Sequence, residues 1–243
     1  MDIDKARPDL TTDGRLRVSI NLGNPILVQK DETVSEETGI KGITVDLARE
    51  LARRLDVPLD LVMFRSAGLV VDALEREKLN VVFLAIDPKR ANEIDFTDPY
   101  VLLEGNYLVR NDAPFQTVAD LDVTGRSVAV VKGSAYDLHL TAHLKHAVIL
   151  RHNAHDEAVA DFRNNGLSAV AGIRQPLEAL AHQDAGLRLI ETPFMTIRQA
   201  MGVPKGRRHG LAYLENFLED VKRSGFTAQA LKRSGQSKAA AIP

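Results

Sequence analysis

Two successive runs of strand and helix patterns predict an α/β protein with two α/β units. The first run begins near Arg15, and the second restarts after Tyr107-Leu108-Val109. A chain of 243 residues is long enough for one large domain or two small ones, each with its own core. A hydrophobic content of 44% and a charged content of 26% are ordinary for a globular protein.

Arg15 to Ile20 alternates as a strand and ends in Asn21-Leu22-Gly23-Asn24-Pro25, a loop by composition. Gly42 opens a helix in which Ile43, Leu47, Leu51 and Leu55 recur every four residues, with Ala48 and Ala52 beside them. Asp46 falls in its first turn, where the helix dipole favours an anion. Leu59 to Phe64 reads as a strand. Leu69 to Arg76 reads as a short helix with Val70, Ala73 and Leu74 inward, and Val81 to Ala85 as the next strand. Strand, helix, strand, helix, strand implies parallel pairing with right-handed crossovers.

In the second run, Val118 to Leu121 and Gly125 lead to the strand Ser127 to Val131. Gly133-Ser134 opens a helix through Leu138 and Leu144. Val148 to Leu150 is a strand, Asp156 to Arg163 a helix and Ser168 to Ala171 a strand. Pro176 to Ala181 is helical, and Leu187 to Ile190 extended. This run does not repeat the first in sequence. Ile197 to Val203 is extended again, and Leu211, Leu214, Phe217, Leu218 and Val221 mark an amphipathic helix closed by Gly225. The tail after Gly235 reads as disordered.

The stretch that points most directly to chemistry is Ala85-Ile86-Asp87-Pro88-Lys89-Arg90, followed by Ile94-Asp95-Phe96-Thr97-Asp98-Pro99-Tyr100. It follows the β-branched run Val81-Val82-Phe83. Strand ends of open α/β sheets are where ligands bind. An arginine there is a planar fork suited to a carboxylate or phosphate. The plainer reading of Lys89 and Arg90 is a solvated helix start.

This stretch resembles the extracellular solute-binding proteins, family 3, which serve polar amino-acid ABC transporters. Their motif reads roughly T-x-x-R, then D-F-S/T-x-P-Y. The resemblance covers about Gly14 to Gly235. It implies a two-lobed, type II periplasmic-binding-protein fold, two open α/β sheets joined by a two-strand hinge. Residues 1–105 and 200–243 would form the first lobe and 106–199 the second. A small carboxylate solute would be captured in the cleft between lobes and handed to a transporter permease, by a periplasmic monomer without cofactor. Arg90 takes the place of the family's carboxylate clamp. Ala85, Asp87, Asn21, Asn24 and Ser66 would read the rest of the ligand from the first lobe. Ser134, Ala135 and Arg174 would complete the site from the second.

Departures from the family pattern shape the expected ligand. Lys132-Gly133-Ser134-Ala135 stands where the family has G-S-T, so one hydroxyl is lost while backbone donors remain. A plain helix cap is the alternative reading of Ser134. The family's ammonium acceptor, an Asp, is absent after Ser168-Ala169-Val170-Ala171-Gly172-Ile173, and Arg174 is the nearest charge. Asn24 and Ala67 replace two stacking aromatics, and Asn21 replaces a common Asp. These changes favour a small acidic or amide-bearing solute over a basic amino acid. Asp87 could restore an ammonium contact, and a surface helix start is the alternative for Arg174.

Other classes find little support. His139 and His143 are four apart, with His146 close behind, but no Asp, Glu or Cys sits at a ligand-like offset on that face, so no metal is expected. His152 and His155 read as loop residues. Ser134 has no base partner visible in the sequence, and no G-x-S-x-G, P-loop or G-x-G-x-x-G occurs. With a net charge of −2 and scattered basic residues, nucleic acid is not an expected partner. No apolar run approaches a membrane span. The absence of cysteine excludes disulfides without fixing the compartment. Met1 to Pro8 has no apolar signal core. Either a signal segment has been removed or the protein works in the cytoplasm, and the resemblance favours the first. Two rivals share the fold: a cyclohexadienyl dehydratase, with Asp87 or Glu104 as the acid and prephenate as the discriminating substrate, and the sensor domain of a receptor.

Overall fold

The structure, a computed structural model, describes residues 3–30, 39–236 and 240–241. The chain divides into two compact units, Met1–Leu102 with Arg198–Pro243, and Leu103–Ile197. Both divisions fall inside strands.

The first unit begins with α1 (Ile3–Leu10), which sequence patterning does not announce because Pro8 lies within it. Packing holds it instead: Ala6 and Leu10 are buried, and Asp9 accepts a hydrogen bond from the Gly210 amide at 2.9 Å. Next come β1 (Leu16–Asn21), the small ribbon β2 (Gln29–Lys30) and β3 (Ile40–Lys41), and α2 (Ile43–Leu55). The predicted stripe of α2 is fully buried at Ile43, Leu47, Leu51 and Leu55. Gly42 precedes it at φ +126°, and a Cβ there would lie 2.2 Å from the Leu27 carbonyl oxygen, so only glycine fits. β4 (Leu59–Phe64) leads to α3 (Ala67–Asp72). This helix is earlier and shorter than the Leu69–Arg76 pattern suggested: it stops at Asp72 and residues 73–78 continue as turns, with a positive φ at Lys78. Val70, Ala73 and Leu74 still point inward. β5 (Val82–Ala85), a 3-10 turn over Arg90–Asn92 and the 17-residue β6 (Ile94–Arg110) complete this passage. β1 pairs in parallel with β4 from Leu16↔Leu59 to Asn21↔Phe64, and a parallel bridge between Val18 and Val81 places β5 on its other side.

The second unit contains β7 (Ser127–Val131), α4 (Ala135–His143), β8 (Val148–His152), α5 (His155–Asn164), β9 (Ala169–Ile173), α6 (Arg174–Gln183) and β10 (Leu187–Leu189). β7 lies between β8 and β9, parallel to both, and β9 is antiparallel to β6. Leu108, Ala129, Phe162, Val170 and Leu177 form its core. The loop reading of two histidines is corrected here. His152 closes β8, with Nε2 3.1 Å from Asp161, and His155 opens α5.

The chain returns to the first unit through β11 (Met195–Pro204), antiparallel to β5, and then α7 (Arg208–Arg223). Gly225, at φ +73°, separates α7 from α8 (Phe226–Arg233). The expected disordered tail is corrected at Ala240–Ala241, a two-residue β12 that pairs with Leu102 and Val101 of β6. Residues 237–239, 242 and 243 lie outside the described residues. The units thus share one strand order, β4-β1-β5-β11 in the first and β8-β7-β9-β6 in the second.

Candidate functional site

In the first unit the parallel strands β1, β4 and β5 end along one edge, the position where open α/β sheets take ligands. Asn21 ends β1, Ser66 follows β4 by two residues, Ala85 ends β5, and Asp87 stands two residues beyond. The structure therefore brings Asn21, Asn24, Ser66, Ala85, Asp87 and Arg90 to one edge of one unit.

Several of these groups already serve the loops that carry them. Asn21 Oδ1 accepts from the Gly23 amide at 3.0 Å, and Asn24 Oδ1 accepts from the Ile26 amide at 3.2 Å. Both are side-chain-closed turns of the kind asparagine favours. Asp87 Oδ1 accepts from the Lys89 amide at 2.8 Å. Ser66 is buried at the start of α3. Arg90 is 3% exposed, and its Nη1 donates to the Ala85 carbonyl at 2.8 Å. Burial pushes the Arg90 pKa down to about 10, and Asp87 opposes that shift. The motif that follows is structural. Tyr100 is fully buried edge-on to Phe83, with ring centroids 5.8 Å apart, and Thr97 Oγ1 accepts from the Met201 amide at 3.2 Å.

The second unit has a corresponding edge at the ends of β7, β8 and β9. Gly133 turns at φ +70°, and Ser134 Oγ accepts from the Asp137 amide at 3.0 Å. Ser134 is thus the cap of α4, and Ala135 is its first residue. Asp137 is buried and accepts from the Gly133 amide at 2.8 Å, Arg151 Nε at 2.9 Å and Thr141 Oγ1 at 3.2 Å. Arg174 opens α6 amid three carboxylates: Glu178 at 2.6 Å, Glu104 at 3.2 Å and Glu191 at 3.7 Å. Glu178 first, then Glu104, raises the Arg174 pKa above its ordinary value. Its guanidinium is engaged within its own unit.

Sequence reading missed several residues at these edges. Asp137 had a signal, the Ser-x-x-Asp spacing of Ser134 and Asp137. Leu22 and Leu69, 37% and 46% exposed, put apolar surface beside the first edge, near Asn24 and Ala67. Nothing in the sequence separates them from core leucines. On α4, His143 Nδ1 lies 2.7 Å from the His139 carbonyl oxygen and the two rings stack at 4.1 Å. Among the described residues no helix is long and apolar enough to cross a membrane.

A family model described as bacterial extracellular solute-binding proteins, family 3, matches residues 28–236. A cyclohexadienyl dehydratase from Pseudomonas aeruginosa is 26% identical over 207 residues, covering 82% of this chain and 75% of the relative. A glutamine-binding protein from Geobacillus stearothermophilus is 23% identical over 185 residues, covering 74% and 70%. Among solved structures, an amino acid ABC transporter substrate-binding protein from Streptococcus pneumoniae, bound to L-arginine, superposes with a TM-score of 0.79. It is 18% identical and covers 95% of this chain and 98% of that one.

Proposed function

The chain belongs to the bacterial extracellular solute-binding proteins, family 3, and from that membership we propose that it binds a small carboxylate-bearing solute for an ABC transporter. The solute is an amino acid or a related organic acid, and the partner is the transporter's permease. The protein works outside the cytoplasmic membrane as a monomer. The observation that carries this reading is Arg90, a buried guanidinium held against the Ala85 carbonyl at a strand end. Low surrounding dielectric strengthens its attraction for a carboxylate, and its fork matches the two oxygens. The relatives named for glutamine and L-arginine support the same solute class.

Calorimetry with L-glutamine, L-glutamate, L-arginine and L-cystine tests the proposal. At least one should bind, and Arg90→Ala should weaken it by roughly 2–5 kcal/mol with an unchanged circular dichroism spectrum. Unchanged affinity in the folded variant would sink the reading.

The Pseudomonas relative favours a second reading, a lyase on the same fold. Such chemistry needs a positioned proton donor. Of the two acids considered, Asp87 accepts from the Lys89 amide and Glu104 is paired with Arg174. These engagements favour binding over turnover. Conversion of prephenate by the intact protein would reverse that preference.

A further inference from the structure

Arg198 stands at the first unit's strand-end edge, where the ligand reading had not placed it. Its carbonyl accepts from the Ile86 amide at 2.9 Å, and the next residue, Gln199, pairs with Ala85. Ala85 is the residue whose carbonyl holds the Arg90 guanidinium. Arg90 and Arg198 therefore meet the chain at consecutive residues.

They also share a face of the sheet. Alternation along β11 puts Arg198, Ala200 and Gly202 on one side. A Cβ on Gly202 would lie 2.5 Å from Ile94 Cγ2, and Ile94 packs with Val82, Leu84 and the α3 residue Val70. Arg198 thus rises on the face that carries α3. The contacts Ile94–Gly202 and Thr97–Met201 run in opposite chain directions, so β6 is antiparallel to β11 and parallel to β5. The connection from β5 to β6, which contains Arg90, crosses the sheet in the same direction as the β4-to-β5 connection through α3. Right-handed crossovers place both on one face.

Arg65 follows β4 at the same edge, and its carbonyl oxygen would lie 2.5 Å from a Cβ on Gly23, so it backs onto the Asn21–Asn24 turn. Arg65 and Arg198 are exposed, and neither has an ion pair among the described residues. The segments at this edge, residues 21–24, 64–67, 85–90 and 198, hold Arg65, Lys89, Arg90 and Arg198 against a single acid, Asp87. An excess of one sign along one edge attracts a ligand of the other sign. Resting on the Arg90 reading, we propose that Arg198, with Arg65, reads a second anionic group on the solute. The preferred ligand is then an acidic amino acid or a dicarboxylate. This assigns to the first unit the second-anion contact that the sequence pattern had suggested for Arg174.

Calorimetry on the intact protein with two matched pairs tests this: L-glutamate against L-glutamine, and succinate against succinamate. Members of each pair have nearly equal size and differ by one charge. In at least one pair the dicarboxylate member should bind about tenfold tighter. Arg198→Gln and Arg65→Gln should bring that ratio toward one by weakening the dicarboxylate far more than the amide. Should either variant fail to fold, salt titration of the unmodified protein replaces it, and the preference should shrink as salt rises. Equal or tighter binding of both amides, a ratio unmoved in both variants or by salt, or no binding of any of the four would overturn the proposal. Arg90→Ala separates the two claims. If it leaves glutamine or succinamate binding intact, the Arg90 reading fails, whatever the charge preference.

Discussion

The two units share a strand order but treat charge at their strand ends in opposite ways. In the second unit, Arg151 is satisfied by Asp137, and Arg174 by Glu178, Glu104 and Glu191. In the first, Arg65 and Arg198 have no ion pair among the described residues, and the buried Arg90 guanidinium is held by a backbone carbonyl. One architecture therefore supplies an edge whose arginines are paired in place and an edge with arginines to spare. The difference teaches that fold places the residues, while side-chain pairing decides which of them remain available to a ligand.

The comparison can be broken most severely at Asp137. Asp137→Ala leaves the Gly133 amide and Arg151 without their carboxylate, and should destabilise the protein by about 2–3 kcal/mol. Denaturant unfolding measures this, and a loss below about 0.5 kcal/mol would mean that the network does not hold the second edge. Gly42→Ala is the corresponding blow to the first unit, where backbone geometry rather than charge fixes the loops. With φ at +126° and a carbonyl in the way, the expected loss is about 1–3 kcal/mol.

Arg174→Gln sharpens the contrast. Its partners are 33–92% exposed, so stability should fall by less than about 1 kcal/mol. The glutamate-to-glutamine affinity ratio should stay where it is, unlike in Arg198→Gln. A collapse of that ratio would return the anion contact to the second unit.

The smallest effect lies away from both edges. On α2, Arg53, with Arg54, holds Glu50 down at about 2. A depressed carboxylate adds stability above its unfolded value near 4.5, and that stability is lost as pH falls toward 2. Glu50→Gln should flatten the unfolding midpoint between those values and leave it unchanged in slope above pH 5. A steep remaining slope confined to pH 2–4.5 would assign the acid response to other carboxylates.

Most of the fold was legible because burial writes a period into the chain. The stripe of α2 and the alternation of Arg15 to Ile20 each named an element. What escaped was held by long-range contacts. α1 contains a proline and is secured by Gly210, some two hundred residues away in sequence. The site was legible at Arg90, whose motif is local. It was not legible at Arg198, which reaches the edge only through antiparallel pairing of β11 with β5. Nor was it legible at Arg174, since no local pattern shows that Glu104 approaches from β6 and Glu191 from the loop after β10.

The two divisions between units, inside β6 and β11, make the second unit a continuous insertion in the sequence of the first. Residues 103–197 form one continuous segment, whereas the first unit is assembled from both ends of the chain. Thr97 and Met201 face each other across the antiparallel pair on the retained side, so a short turn could join Leu102 to Arg198 as a hairpin. Excision at that point keeps β1, β4, β5, β6 and β11 in their order, and with them the whole cationic edge. Deletion and one new turn would therefore leave the first unit's strand order unbroken.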